Sequence, residues 1–423
     1  MNYKKYELEH YNLHFINTDR FKTVSIRINF KTKLEKDSMM KRYLLASLFP
    51  FICEKYPTER DITIKCEELY DTNLSVETYK SGFYHILMFY MTFINEKYTE
   101  EGMNEECIEF LKDILFHPQI IENSFDEEKV ERMKRVVLED LKSVEETPSS
   151  YSQIKLIEHM AKDELYGLHP YLLKDEINKI TATELYNCYQ DMIDNDMVDI
   201  FVIGNVDDKK IIDKLNDLNI QNKQQYKESH IINWENVRKE RQQIIESYPS
   251  NQSKLAISFK LKDLTDFERK YVLNIYSYIL GGSGDSKLFK NVREKHSLCY
   301  YINSNYNNIY NVMTITAGID GNNLDLVMKL INEELDNMKQ GKFDEEEIEK
   351  GKQTYLSACQ EIMDNQSSII NIYVAHEYLK NDLIDEKMRQ IKTITKEDIM
   401  TVAKKINMDT IYLLKGEQEN GAN

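Results

Sequence analysis

The residues best suited to chemistry fall in one segment, Leu280-Gly281-Gly282-Ser283-Gly284-Asp285-Ser286-Lys287-Leu288-Phe289-Lys290-Asn291-Val292-Arg293-Glu294-Lys295-His296-Ser297-Leu298-Cys299-Tyr300. Arg293 offers a planar fork of donors that fits a carboxylate or a backbone carbonyl, and Tyr300 offers a hydroxyl that can donate to a developing oxyanion. They stand seven residues apart across a helix-to-strand junction, so each comes from a different element. The plain alternative gives Arg293 a helix-end ion pair and Tyr300 a place in a core. Gly281, Gly282 and Gly284 do not form a phosphate cradle, because GGSGDS has neither G-x-G-x-x-G spacing nor a GK[ST] ending and follows a helical rather than a strand pattern. Asp285 occupies the last glycine position of a G-x-S-x-G elbow, which excludes a serine-hydrolase turn. These glycines are read instead as a loop that lets a substrate strand or a partner backbone approach.

Metal and thiol chemistry find little support. Of nine histidines, His10 and His14 are spaced by four, but they lie in an extended opening segment, where four residues span roughly 13 Å and cannot share an ion. The six cysteines, Cys53, Cys66, Cys107, Cys188, Cys299 and Cys359, form no C-x-x-C pair and are sparse for a disulfide framework, so reduced thiols in cores are expected.

The rest of the chain must position these residues. Its 423 residues suit two domains, and 41% hydrophobic with 30% charged residues, 13 Gly and 6 Pro describe a globular chain. A net charge of −17 opposes binding to a phosphate backbone, which excludes nucleic acid as a partner class. The N-terminus MNYKKYELEHYNLHF lacks an apolar h-region, and no run approaches the roughly 20 apolar residues of a membrane span. A cytoplasmic protein without membrane partners is expected.

Period-two alternation marks Tyr11 to Asn17 and Lys22 to Phe30 as strands, expected to open the chain as a hairpin. Amphipathic stretches near Ser38–Lys55 and Glu59–Tyr70 follow, then the strand pair NLSVETY and HILMFYMTF around Ser81-Gly82. Helices are expected from about Glu101 to Gln190, closed by the buried strand DIFVIG. From about Gln242 the order repeats: strands at Ile244–Tyr248 and Lys254–Leu261, a helix near Thr265–Leu280, strands at Cys299–Asn305 and Val312–Ala317, helices, and a last strand DTIYLL. Thr181 with Glu184 and Thr395 with Asp398 start equivalent helices, the first as a full capping box. The fold class is therefore α+β: two tandem homologous domains, each a mostly antiparallel sheet packed by helices, forming a clamp. The domains are expected at 1–206 and 242–423, with the polar stretch 207–241 as linker.

The Leu280–Tyr300 segment resembles the second-domain signature of the pitrilysin/insulinase metallopeptidase family, mitochondrial-processing-peptidase branch, in which a glycine-rich turn leads to LF-x-x-VREK-x-x-L-x-Y. The match runs over some twenty positions, and the duplicated halves extend the resemblance over nearly the whole chain. The resemblance implies that Arg293 and Tyr300 serve substrate binding and oxyanion stabilisation at a zinc site. It also implies an H-x-x-E-H motif in the first helix of domain one, with the Glu as general base. That place reads SMMKRYLLASLFPFICEKY and holds no histidine. The family's later Glu ligand falls near Met133, with Glu131 out of register. No metal site is expected in this chain.

Loss of the zinc set with retention of Arg293 and Tyr300 is similar to the zinc-less members of the family in Gram-positive bacteria, whose companion is a separate zinc-bearing homologue. The resemblance thus implies a non-catalytic subunit of a heterodimeric peptidase, with zinc in the partner and an unstructured peptide as substrate, bound by strand addition. A stand-alone homodimeric peptide-binding or chaperone-like module is the alternative.

Overall fold

The computed structural model describes residues 1–417 except 163, 216, 217, 219, 222–226 and 236. By internal packing the chain forms two units, both discontinuous in sequence. The first comprises Met1–Lys142, His169–Glu228 and Asn365–Val374; the second comprises Ser143–Leu168, Ser229–Asp364 and Ala375–Asn423. The segment 207–241, read from the sequence as a linker, contains the helix Asp208–Leu215. Its QNKQQY portion falls on residues 221–226, of which 222–226 lie outside the described residues.

In the first unit β1 (Asn2–Glu7), β2 (Asn12–Asn17), β3 (Thr23–Lys33), β4 (Asn73–Ser81), β5 (Tyr84–Ile94) and β6 (Met197–Gly204) make a sheet in the order β1-β2-β6-β3-β5-β4. Only β2 and β6 run parallel. The expected opening hairpin of β2 with β3 does not form, because β6 lies between them. The sequence of β6 explains this: Val198, Ile200, Phe201, Val202 and Ile203 are all buried, so this strand is apolar on both faces and takes a central position. The hairpin partner of β2 is β1, whose polar NYKKYE sequence carries no strand signal.

The two faces of β3 differ in kind. Val24, Ile26, Ile28 and Phe30 enter the apolar core, over whose β4 and β5 portion the helix Lys36–Leu48 packs. Ser25, Arg27, Asn29 and Lys31 on the other face are also buried, and there they are hydrogen-bonded. Gln366 Oε1 accepts from Thr23 Oγ1 (2.6 Å) and Ser25 Oγ (3.1 Å), and Arg27 donates to Asn371 Oδ1 (2.7 Å), Tyr79 Oη (2.6 Å) and Asn29 Oδ1 (2.9 Å).

The second unit repeats the design with β7 (Gln242–Tyr248), β8 (Ser253–Lys260), β9 (Cys299–Asn307), β10 (Val312–Ile319) and β11 (Met408–Gly416), in the order β7-β11-β8-β10-β9. Strand for strand this is β2-β6-β3-β5-β4, including the one parallel pair, β7 with β11. Leu255, Ile257 and Phe259 of β8 join Met313, Ile315 and Ala317 of β10 in the main core, under the helices Leu273–Gly281 and Leu324–Lys339. On the opposite face Ala256, Tyr412 and Leu414 pack on Leu156 of the helix Pro148–Met160. Both equivalent helix starts carry complete capping boxes, Thr181 with Glu184 and Thr395 with Asp398, so Asp398 closes its box as Glu184 does. All six cysteines are free thiols. Among the described residues no helix is long and apolar enough to cross a membrane.

Candidate functional site

The Arg293 segment is wound as a π-helix, Phe289–Lys295, between the glycine turn and β9. Such windings widen the helix by one residue per turn and recur at functional sites. Its inner side is fixed by Leu288 and Val292, which are fully buried, and by Asn291, whose Nδ2 donates to Glu334 Oε1 at 2.6 Å. The end is closed by backbone bonds from Ser297 to the Arg293 carbonyl and from Leu298 to the Val292 carbonyl, each 3.0 Å, with Ser297 in the left-handed region at φ +54°. The chain thereby turns sharply from the π-helix into β9, which places Arg293 and Tyr300 on either side of one tight junction.

Both side chains are exposed. Arg293 has no ion pair among the described residues, and its guanidinium lies over the Phe289 ring, 4.6 Å from the centroid. Tyr300 is 75% exposed, whereas Ile302, Ser304 and Tyr306, which share its parity along β9, are buried. The Tyr300 hydroxyl has no hydrogen-bond partner among the described residues. Next to it, burial pushes the Cys299 thiol up to about 11, the Arg293 charge opposing, so this cysteine is a protonated neighbour and no nucleophile. Among the described residues, neither the ion pair nor the core position of the plain alternative is found.

The three glycines separate. A side chain at Gly281 would meet Ser304 Cβ and backbone nitrogen at 2.8 Å, and at Gly282 it would meet Tyr278 Cα at 2.8 Å. Close packing within the second unit therefore accounts for these two: the helix Leu273–Gly281 lies against β9, and Ser277 Oγ and Ser304 Oγ are 2.9 Å apart. Gly284 faces open space.

Three supporting features have no clear sequence signal: the Phe289 platform, the Asn291–Glu334 tie, and Gly318 of β10, where a Cβ would strike the Tyr301 ring at 2.7 Å. That last contact seats Tyr301 across its strand partner. Each depends on residues distant in sequence or on a π-helical register that a 3.6-residue period does not reveal.

The residues of the first unit do not fit a zinc ion. The helix Lys36–Leu48 buries Met39, Met40, Arg42, Leu44, Leu45, Ala46 and Leu48, none of them a zinc ligand. Arg42 places a fixed positive charge in this layer, donating to Asp196 Oδ2 at 2.6 Å and to the Phe30 carbonyl at 3.0 Å. Met133 is buried, and Glu131 turns outward to pair with Lys134 at 2.6 Å. His14 is taken up by Tyr3 Oη (2.7 Å) and Asp199 Oδ1 (3.4 Å) and stacks on Phe201, while His10 lies beside Glu9. Among the described residues no group of three or more His, Cys, Asp or Glu comes together as a metal site.

Comparison with known proteins bears on the same region. Residues 179–355, which include Arg293 and Tyr300, match the model of the peptidase M16 inactive domain. Over 412 residues the chain is 29% identical to the probable inactive metalloprotease YmfF of Bacillus subtilis, covering 96% of both sequences. The chain is similar to proteins of the peptidase M16 family. It is also similar to an uncharacterized zinc protease of Bacillus subtilis, YmxG, at 25% identity over 71% of this chain and 72% of the relative. A crystal structure of a conserved protein from Enterococcus faecalis superposes with a TM-score of 0.91 at 29% identity, covering 100% of both chains. The twofold sheet-and-helix design is thus shared with that structure, and the segment from Leu280 to Tyr300 lies within the match to the M16 inactive domain.

Proposed function

We propose that this chain is the non-catalytic subunit of a two-chain zinc metallopeptidase, holding an extended peptide and supplying Arg293 and Tyr300 to the active site of a zinc-bearing homologue. The observation that carries this reading is the exposure of both side chains with their hydrogen-bonding capacity unspent among the described residues. An Arg fork presented over an aromatic ring can take a peptide carboxylate or carbonyl, and a free tyrosine hydroxyl can donate to the oxyanion formed when a peptide carbonyl is attacked. The partner supplies the metal and the general base.

Strand β9 begins one residue before Tyr300 and is the last in its sheet, with β10 on one side only, so its outer edge can pair with an extended peptide beside these two side chains. Gly284 leaves the neighbouring turn open for such an approach. Bacillus subtilis holds both an inactive homologue and a zinc protease similar to this chain, which supports a division of labour between two chains.

The test mixes the purified chain with a zinc-bearing M16 homologue from the same cell and follows cleavage of an unstructured peptide by each alone and by the pair, with zinc measured in each. The reading expects no stoichiometric zinc in this chain and cleavage only, or far faster, in the mixture. Stoichiometric zinc with chelator-sensitive cleavage by the chain alone would overturn it. Peptide binding by a homodimer without any gain in cleavage would replace it with a stand-alone peptide-holding module.

A further inference from the structure

The face of β9 that looks away from the main core is a row of asparagines. Asn303, Asn305 and Asn307 are exposed, and in register with the first two stand Thr316 and Thr314 of β10, both half-buried. The helix Pro148–Met160 covers this side of the sheet at β8 and β11 through Leu156. In a chain with 30% charged residues and a net charge of −17, this stretch of sheet carries none. The flanking cations are engaged elsewhere: Lys254 is turned to the Tyr301 ring at 5.4 Å and to the Gln252 side chain, and Lys260, in register with Val312 at the other end, lies over the Trp234 ring at 4.3 Å.

From this geometry we infer a specificity for the peptide: β9 selects extended segments whose alternate side chains are uncharged hydrogen-bonding groups, Ser, Thr, Asn or Gln. The inference rests on the proposed strand pairing and adds to it which side chains are chosen. A strand paired to the edge of β9 places every second side chain beside Asn303 and Asn305, while Asn307 Oδ1 accepts from the backbone N–H groups of Ile309 (3.0 Å) and Tyr310 (3.3 Å) in the following turn. Amides and hydroxyls both donate and accept, so they satisfy groups like themselves. A Glu or Lys there would lose hydration without gaining a counter-charge, and a Leu would leave amides unpaired.

The experiment uses the full chain and fluorescein-labelled ten-residue peptides that share one alternating frame and carry Thr, Glu, Lys or Leu at the variable positions, with anisotropy as readout. A version of the Thr peptide N-methylated on one edge reports on strand pairing. The Thr peptide should bind about tenfold tighter than the Glu and Lys peptides, and the double variant N303D/N305D should move the preference by about tenfold toward Lys. Both positions are exposed, and thermal unfolding checks that the variant is folded. Equal binding of all four peptides, or a Thr preference unchanged in N303D/N305D, would overturn the selectivity while leaving strand pairing in place. If no peptide binds, or if N-methylation has no effect, strand pairing itself falls and the selectivity with it.

Discussion

Arg293 rests on the face of Phe289 rather than against a carboxylate, and a guanidinium held that way keeps its in-plane N–H groups for a ligand. Arg293→Lys retains the charge but loses the fork, so substrate binding by the reconstituted pair should weaken while the melting temperature barely changes. Tyr300→Phe removes one donor and should lower turnover by roughly 10²-fold, the usual effect of deleting an oxyanion contact. Cleavage of a common peptide measured beside thermal unfolding separates these outcomes from a structural role, which would lower the melting temperature and leave turnover per folded complex near normal. A second prediction concerns proton uptake. Burial, with the Arg42 and Lys80 charges opposing protonation further, pushes His85 down to about 3, and burial and Lys80 push His169 down to about 4. Both sit near 6.5 in an unfolded chain, so between about pH 6.5 and 4 the unfolded state binds more protons and folding stability falls as pH falls. Above 6.5 this contribution is fully present. Asp196, which burial raises to about 6 against the pull of Arg42, works in the opposite sense between about 6 and 4. The two histidines outweigh it, so the melting temperature should drop from pH 7 to pH 4.5, and His85→Leu should flatten that dependence. An unchanged slope in His85→Leu would remove His85 from the account.

At the scale of elements, close approach limits what the sequence can vary. Gly281→Ala puts a methyl group 2.8 Å from the Ser304 backbone nitrogen, where the neighbour is β-sheet and cannot move aside, so it should cost about 1–3 kcal/mol as overpacking does. Gly284→Ala, facing open space, should cost much less, and denaturant unfolding of the two variants makes the comparison. This difference was not legible in the sequence, which shows three glycines in one loop and cannot say which of them touches a strand. What was legible is burial written as alternation: Val24 to Phe30 on β3 and Leu255 to Phe259 on β8 are apolar at every second residue because one face of each strand lies in the core. The repeat of element order was legible for the same reason. The order of strands within the first sheet was not, since pairing β2 with β6 instead of β3 depends on contacts almost the length of a domain apart. Strand β1 escaped notice because it lies at the sheet edge with mostly exposed side chains. Likewise, an amphipathic helix such as Pro148–Met160 announces that it has a buried face but not which sheet will bury it. Arg293 and Tyr300 stood out as a motif, whereas Phe289 and Asn291, which hold the junction, are ordinary residues until the π-helical turn brings them into place.

For the whole molecule, the discontinuous make-up of each unit matters most. The polar side of β3 in the first unit is completed by Gln366 and Asn371, with Gln366 Nε2 donating to the Thr23 carbonyl (3.0 Å) and the Ile203 carbonyl (3.3 Å). A fragment ending at Glu228 would lose the bonds that Gln366 and Asn371 make to Thr23, Ser25, Arg27 and Ile203, and such hydrogen bonds contribute about 0.5–1.5 kcal/mol each. Fragments 1–228 and 229–423 expressed separately should therefore be poorly folded, and co-expression should restore a stable complex. Cooperative unfolding of fragment 1–228 by itself, with the stability it has in the intact chain, would contradict this. The same arrangement sets a schedule for synthesis. Ribosomes add about 5–20 residues per second, so after Glu228 has been made the growing chain waits on the order of ten seconds before Val374 follows. Through that interval the first sheet exists with its polar face unsealed, which makes the nascent polypeptide, rather than the finished protein, the form most exposed to chaperones and proteases.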